Sequence, residues 1–227
     1  MSKNLFITGT GTDVGKTYVT GLILKKLHAY GVSAAYYKAA MSGNERRWNG
    51  ILAPGDAISV KEVSGIEQPL GEMCPYVYEN AVSPHLASRI EGNPVRIDRV
   101  LDGFRTVCSK YDYVTMEGSG GILCPLCFDE TELYLADIIK ACKLSCLMIA
   151  DAELGTINHV VLTAFYMKEH KIPLKGIIFN HYIAGDTMQT DNIKMCEYLT
   201  NVKVVACVQD YDTDLKITSE TLMSFYE

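Results

Sequence analysis

Short apolar runs alternate along the chain with longer segments whose apolar residues recur at helical spacing. Six runs predict buried strands: NLFIT (4–8), AAYYK (34–38), DYVTME (112–117), SCLMIA (145–150), KGIIFN (175–180) and VKVVAC (202–207). The segments with helical spacing predict helices at about 15–30, 56–64, 84–91, 97–110, 132–142, 157–170 and 188–200. This alternation predicts an α/β fold, with a single-domain, mostly parallel β-sheet flanked by helices on both faces.

Size and composition narrow the classes of function. A chain of 227 residues that is 48% hydrophobic has material for one well-buried core, so we expect one domain over residues 1–227. Its formal net charge of -6 disfavours nucleic acid and anionic membranes as partners and favours small soluble molecules. The apolar run at residues 5–7 is too short for a secretion signal, and no later stretch reaches membrane-spanning length, which predicts a cytoplasmic protein.

Four of the eight cysteines have a spacing close to that of zinc ribbons. Cys124, Cys127, Cys142 and Cys146 follow the pattern C-x2-C-x14-C-x3-C. However, Cys142 ends an apparent helix, and Cys146 lies in an apolar run that predicts a buried strand. We therefore expect scattered, reduced thiols in the interior and no structural zinc.

The stretch FITGTGTDVGKTY, near the amino terminus, places a glycine-rich loop between a predicted strand and a predicted helix. The usual phosphate-loop pattern, G-x-x-x-x-G-K-[ST], requires a glycine where this chain has Thr10, and its glycine comes one residue early, at Gly9. The physical parts are nevertheless present. Gly9 and Gly15 permit close backbone approach, Lys16 supplies a cation and Thr17 a hydroxyl for magnesium. The loop is therefore predicted to bind phosphate, and the fold to be P-loop NTPase-like.

Further polar residues fall at the ends of predicted strands, where such folds bind ligands. Glu117 is either a magnesium ligand or a solvated acid, and Asp56 is either a second ligand or a helix N-cap. Lys38 is expected at the same edge as Lys16, which indicates an anionic reactant. Asn180 either reads a base or turns the chain. From the residues alone, the cap is favoured for Asp56 and solvent exposure for Lys38.

The motifs together are more specific than any one of them. GTGTDVGKT, YYKAAMSG, GDA, SPH, MEGSGGILCPL, LGTINHVVLT and IIFN, in this order, resemble the dethiobiotin synthetase family from about residue 3 to residue 180. The resemblance implies a homodimeric enzyme of biotin biosynthesis that depends on Mg²⁺ and ATP. Such an enzyme joins CO2 to diaminopelargonic acid and closes the ureido ring of dethiobiotin, with release of ADP and phosphate.

The resemblance also assigns roles to individual residues. The reacting centre is lined by Thr12, Lys16, Lys38 and Ser42. ATP is bound by Gly9, Asp13, Val14, Gly15, Lys16, Thr17, Tyr18, Glu117 and Asn180, the last at the base. Magnesium is held by Thr17, Asp56 and Glu117. The substrate contacts Thr12, Lys38, Ser42, Gly118, Gly155 and Asn158, of which Gly155 and Asn158 serve the partner's active site.

Some positions depart from the family pattern. The family usually has an acid in place of Gly11, a Pro-Val pair in place of Ala39 and Ala40, and Gly-x-Ile-Pro where this chain reads VACVQDYD. These departures leave base selectivity and the contacts to the substrate's fatty tail open. The main alternative is a regulatory ATPase of the type that positions chromosomes or septa, but such proteins generally carry a lysine at the place of Gly11. A GTPase is disfavoured because Asn180 does not begin an Asn-Lys-x-Asp motif.

Overall fold

The computed structural model describes residues 2–129 and 131–227. The strands are β1 Lys3–Gly9, β2 Ala34–Lys38, β3 Tyr113–Glu117, β4 Pro125–Phe128, β5 Glu132–Tyr134, β6 Cys146–Asp151, β7 Leu174–Asn180 and β8 Val204–Cys207. The α-helices are α1 Lys16–Ala29, α2 Gly55–Ser64, α3 Pro84–Ile90, α4 Ile97–Cys108, α5 Leu135–Cys142, α6 Thr156–Glu169, α7 Thr187–Thr200 and α8 Ser219–Met223. A 3-10 turn covers Leu70–Glu72.

Six strands form one sheet in the order β2-β3-β1-β6-β7-β8, and every neighbouring pair is parallel. Alternate side chains of β1 enter two different hydrophobic clusters, because Leu5 and Ile7 point to one face and Phe6 to the other. The first cluster packs against α1, α2 and α8, and the second against α3 to α7. The predicted fold class, a parallel sheet covered by helices on both faces, is confirmed.

The strand order determines where a ligand can bind. The central strand β1 leads through its loop and α1 to β2, on one side of the sheet, while β6 lies on its other side. In open parallel sheets a crevice forms beyond the carboxyl ends of two neighbouring strands when their connections run to opposite sides of the sheet. The loops after β1, β2 and β3 therefore meet at one edge, at the carboxyl end of β1.

One predicted helix, 132–142, begins too early, and the six others agree with the structure to within about two residues. Residues Glu132–Tyr134 instead form β5, which pairs antiparallel with β4. Leu133 in β5 is buried, which holds this short hairpin against the core. The carboxylate of Asp137 then accepts a hydrogen bond from the backbone N–H of Tyr134 at 2.9 Å, which caps α5 and sets its first residue. The hairpin and α8 were not predicted.

The eight cysteines are free thiols. As the sequence predicted, Cys142 ends α5 and Cys146 is buried in β6. Within residues 2–129 and 131–227, no group of three or more His, Cys, Asp or Glu side chains has an arrangement that could hold a metal ion. Over the same residues, the helices are too short or too polar to cross a membrane.

Candidate active site

The loop between β1 and α1 closes tightly on its own lysine and on β7. Gly15, the N-cap of α1, has φ 83°, a left-handed conformation that favours glycine. A Cβ atom at Gly15 would lie 2.0 Å from Nδ2 of Asn180, so a side chain is also sterically excluded. A Cβ atom at Gly9 would lie 2.9 Å from Cδ of Lys16, whose Nζ donates to the carbonyl of Gly11 at 2.6 Å. Gly9, one residue earlier than in the usual pattern, therefore still leaves space for the side chain of Lys16.

Beside this loop, one ammonium group bridges two carboxylates. Nζ of Lys38, at the end of β2, lies 2.7 Å from Oε1 of Glu117 and 2.7 Å from Oδ2 of Asp56. The hydroxyl of Thr17 lies 2.9 Å from Oε1 of Glu117 and 3.4 Å from Oδ1 of Asp56. Strands β2 and β3 are in register at Lys38 and Glu117, so the sheet itself sets this ion pair.

Burial and charge act together on these groups. Burial alone would lower the pKa of Lys38, but the carboxylates of Glu117 and Asp56 raise it above its usual range. Burial, followed by the positive charge of Lys38, lowers the pKa of Lys16 to about 8. Burial would raise the pKa of Asp56, yet its bonds to Lys38 hold it below the usual value. The four groups carry two positive and two negative charges, so an incoming anion meets a site of zero formal charge.

The interpretations that the residues alone had favoured for Asp56 and Lys38 are wrong. Pro54, and not Asp56, is the N-cap of α2, and Asp56 lies in the first turn with its carboxylate on Lys38. Lys38 is only 5% exposed and Glu117 only 1% exposed. A charge buried to this degree needs a partner of opposite sign, which neither residue reveals by itself in the sequence.

A cavity of about 940 Å³ opens over this cluster. It brings together the four residues predicted for the reacting centre, Thr12, Lys16, Lys38 and Ser42. Its wall also includes Asp13, Gly15, Thr17, Tyr18, Ala40, Met41, Gly43, Asp56, Ser59, Val63, Ala81, Val82, Ser83, Pro84, Glu117, Ser119, Gly120 and Cys124. The cavity therefore joins the phosphate loop to the loops that follow β2 and β3.

The remaining predicted residues lie elsewhere. Gly118 closes β3 against the core, where an added Cβ atom would be 3.0 Å from Cζ of Phe6. Gly155 and Asn158 lie on the surface at the start of α6. Asn180 is buried behind the phosphate loop, and its Nδ2 donates to the carbonyl of Val14 at 3.3 Å.

Tyr36 is a site residue that the sequence interpretation missed. Its buried hydroxyl donates to Oε2 of Glu117 at 3.1 Å, which leaves Oε1 for Thr17 and Lys38. A signal was present, because Tyr36 precedes Lys38 by two residues in a strand and so faces the same side of the sheet.

The donor set at this position is chemically suited to one kind of cation. A threonine hydroxyl and two carboxylates offer only oxygen, and Mg²⁺ prefers oxygen ligands and commonly uses one or two carboxylates beside phosphate. Thr17, Asp56 and Glu117 therefore fit a magnesium ion.

The fold and this site define a P-loop nucleoside triphosphatase. The family model described as an AAA domain matches residues 3–216. A ParA family ATPase from Chlorobium tepidum TLS superposes with a TM-score of 0.58 at 12% identity, over 93% of this chain and 86% of that one. The MinC:MinD cell division complex from Aquifex aeolicus gives 0.54 at 13% identity, over 92% and 82%. At such low identity these likenesses concern the fold alone.

Sequence relatives identify the family more closely. ATP-dependent dethiobiotin synthetase BioD of Clostridium novyi (strain NT) is 45% identical over 213 residues, 92% of this chain and 87% of that protein. The BioD of Brachyspira hyodysenteriae is 42% identical over 228 residues, the full length of both. That of Clostridium botulinum (strain Alaska E43 / Type E3) is 40% identical over 227 residues, 100% and 99%. The chain belongs to the dethiobiotin synthetase family, as its motifs predicted.

Proposed function

We propose that this chain carboxylates diaminopelargonic acid with CO2 and closes the ureido ring in the cavity above Lys38. The observation that carries the proposal is the bridging ammonium of Lys38, 2.7 Å from both Glu117 and Asp56, in the same cavity as the phosphate-loop Lys16. A second buried ammonium beside that lysine favours a site that holds a second anion next to the γ-phosphate.

The reaction proceeds in three balanced steps. One amine of the substrate attacks CO2 and loses a proton, which gives a carbamate. A carbamate oxygen then attacks the γ-phosphorus of ATP, and ADP leaves. The second amine attacks the carbonyl carbon of this mixed anhydride, the phosphate departs with the former carbamate oxygen, and the ring closes with loss of a second proton. No side-chain nucleophile is required.

In this proposal the chain contributes position and charge. Lys16 neutralises the outer phosphates, and Lys38 faces the carbamate, so the two lysines offset the repulsion between the reacting anions. Thr12 and Ser42, in the cavity wall, and the backbone of Gly118, buried at the end of β3, position the substrate. Phosphoryl transfer depends chiefly on such alignment and electrostatic stabilisation.

Thr17, Asp56 and Glu117 would hold a magnesium ion. When bound, it would neutralise charge on the phosphates of the nucleotide. Tyr36 and Lys38 keep the Glu117 carboxylate in place from the protein side.

The loop residues hold the nucleotide. Backbone N–H groups of the phosphate loop and the amino terminus of α1 favour phosphate at this place. The ATP ligands are Gly9, Asp13, Val14, Gly15, Lys16, Thr17, Tyr18, Glu117 and, at the base, Asn180.

We further propose a homodimer in which the start of α6 completes the neighbouring active site. Gly155 and Asn158 are exposed at the amino end of this helix, beside Leu154, which is 84% exposed. Leu162 and Phe165, further along α6, are also exposed, which is unfavourable in water and favours a protein partner. We also propose a cytoplasmic location, and the net charge of -6 disfavours nucleic acid and anionic membranes as partners.

Mixing two inactive variants tests the shared site. Lys16→Ala chains lack the ATP lysine, and Asn158→Ala chains lack the residue given to the partner. Each mixed dimer contains one intact site, so random mixing is expected to restore roughly a quarter of the unmodified activity. The control is either variant alone after the same treatment. Mixed dimers that form, as seen by native mass spectrometry, and stay inactive would exclude the shared site.

Product analysis tests the function itself. The protein is incubated with diaminopelargonic acid, bicarbonate, ATP and magnesium, and dethiobiotin is sought by mass. We expect dethiobiotin and phosphate in equal amounts. Phosphate without a new product would refute the proposed reaction and favour a regulatory ATPase.

A further inference from the structure

Three polar side chains outside the cavity form a row at the carboxyl ends of β6 and β7. Nδ1 of His181 lies 2.8 Å from Oδ2 of Asp151, and Nε2 of the same ring lies 3.1 Å from Nδ2 of Asn180. Asp151 and Asn180 are register partners in the sheet. His181 has φ 53°, a left-handed conformation uncommon for a residue other than glycine.

The hydrogen bonds of this row determine where its protons lie. The carbonyl of Val14 can only accept, so the atom of Asn180 that faces it at 3.3 Å is the amide nitrogen. The second hydrogen of that nitrogen is directed to Nε2 of His181, which must then be the unprotonated ring nitrogen. The proton is therefore on Nδ1, which donates to Asp151.

In this arrangement both amide hydrogens of Asn180 are used in hydrogen bonds, and its side-chain oxygen is left to accept one. Among the described residues, none donates a hydrogen bond to that oxygen. A separate cavity of about 300 Å³ lies beside His181 and is lined also by Gln209 and Asp210; Asn180 is not in its wall but ends β7 directly before His181. The side-chain oxygen of Asn180, held in this orientation, favours a ligand that presents an N–H group to it.

We propose that Asp151 and His181 are positioning residues for the nucleotide base, which fix the amide of Asn180 so that its oxygen accepts from the amino group of adenine. Guanine presents a carbonyl oxygen at the corresponding place. This oxygen and the amide oxygen of Asn180 both carry partial negative charge, so they repel each other. The inference rests on the proposed base-binding role of Asn180 and adds the groups that set its selectivity for ATP over GTP.

The variant Asp151→Asn exchanges the hydrogen-bond donors and acceptors along the row, with almost no change in the shape of the side chain at position 151. Oδ1 of Asp151 accepts from the backbone N–H of Glu153 at 3.1 Å, so the new amide must keep its oxygen there and turn its nitrogen to His181. Nδ1 of the ring then accepts, the ring proton moves to Nε2, and two donors oppose each other at Asn180. The ratio of kcat/KM for ATP to that for GTP is expected to fall at least about tenfold, with kcat at saturating ATP unchanged.

Two further variants complete the experiment. Asp191→Asn makes the same chemical change on the exposed surface of α7 and should keep the unmodified ratio. His181→Asn removes the ring but keeps a residue that tolerates the left-handed conformation, and it should also lose selectivity. Nitrogen-15 NMR of the His181 ring should place the proton on Nδ1 in the unmodified protein and on Nε2 in Asp151→Asn.

The outcomes separate this inference from the proposed function. If the unmodified protein forms dethiobiotin from ATP but either folded variant, Asp151→Asn or His181→Asn, retains the unmodified ratio of ATP to GTP use, the positioning role is wrong. If the unmodified protein forms no dethiobiotin, the proposed function fails. A loss of selectivity in both variants, together with the NMR change in Asp151→Asn, supports the inference.

Discussion

Replacing Lys38 by glutamine is expected to slow dethiobiotin formation at saturating ATP at least about tenfold and to leave ATP binding nearly normal. The reason is that Lys38 ends β2, on the far side of Glu117 from the phosphate loop, where we propose that it faces the carbamate. The change removes a charge-assisted contact worth about 1.5–3 kcal/mol, which is expressed mainly when the two anions are forced together. Calorimetry with ATP and single-turnover product formation measure the two effects separately.

Lys16→Gln is the matched control for this prediction. Lys16 lies in the phosphate loop, so its replacement should weaken ATP binding itself. The two glutamine variants are expected to fail in different assays. If Lys38→Gln loses ATP binding as severely as Lys16→Gln yet turns over normally at saturating ATP, Lys38 is a nucleotide ligand and its assigned role is wrong.

Glu117→Gln should reduce both turnover and stability. The Glu117 carboxylate is 1% exposed and accepts from Thr17, Lys38 and Tyr36. Glutamine keeps the volume but removes the charge that compensates the buried ammonium, and breaking a buried ion pair lowers the free energy of unfolding by about 3 kcal/mol. Because a proposed magnesium ligand is also lost, turnover should fall about a hundredfold and require more magnesium.

Asp56→Asn provides the comparison for Glu117→Gln. Its carboxylate pairs with the same ammonium, but its side chain is 39% exposed, so water replaces part of the lost interaction. Its loss of stability should be about 1 kcal/mol, measured by urea denaturation alongside Glu117→Gln. Equal stability losses in the two variants, or an unchanged magnesium requirement in Glu117→Gln, would contradict the assigned roles.

The phosphate loop could be predicted from sequence because its signal is local. A strand, two glycines, a lysine and a hydroxyl occur within a few consecutive positions, and the departure at Gly11 has no steric consequence, since a Cβ atom there would meet nothing within 4 Å. The buried cluster could not be predicted in this way. The partners Lys38, Asp56 and Glu117 are far apart in the chain, and only the parallel register of β2 and β3 brings two of them together.

The family resemblance supplied what the isolated residues lacked. The motifs place Asp56 and Lys38 at one site, whereas their individual preferences predict a helix cap and an exposed lysine, because burial is a property of the packed sheet. The β4–β5 hairpin was missed for a related reason, since a three-residue strand has too few positions to display a period of two. The row formed by Asp151, Asn180 and His181 could not be predicted from the sequence, because it depends on the register of β6 and β7.

The central claim is that the nucleotide phosphate is transferred to a carbamate held beside Lys38, and tracing one oxygen atom tests it most directly. Bicarbonate and CO2 enriched in oxygen-18 are supplied with diaminopelargonic acid, magnesium and ATP in unlabelled water, for a reaction shorter than the exchange of label with solvent. Because the departing phosphate keeps the former carbamate oxygen, each phosphate released should carry one labelled oxygen. Phosphate without label, its new oxygen taken from water, would show that ATP is hydrolysed and would contradict the proposed reaction.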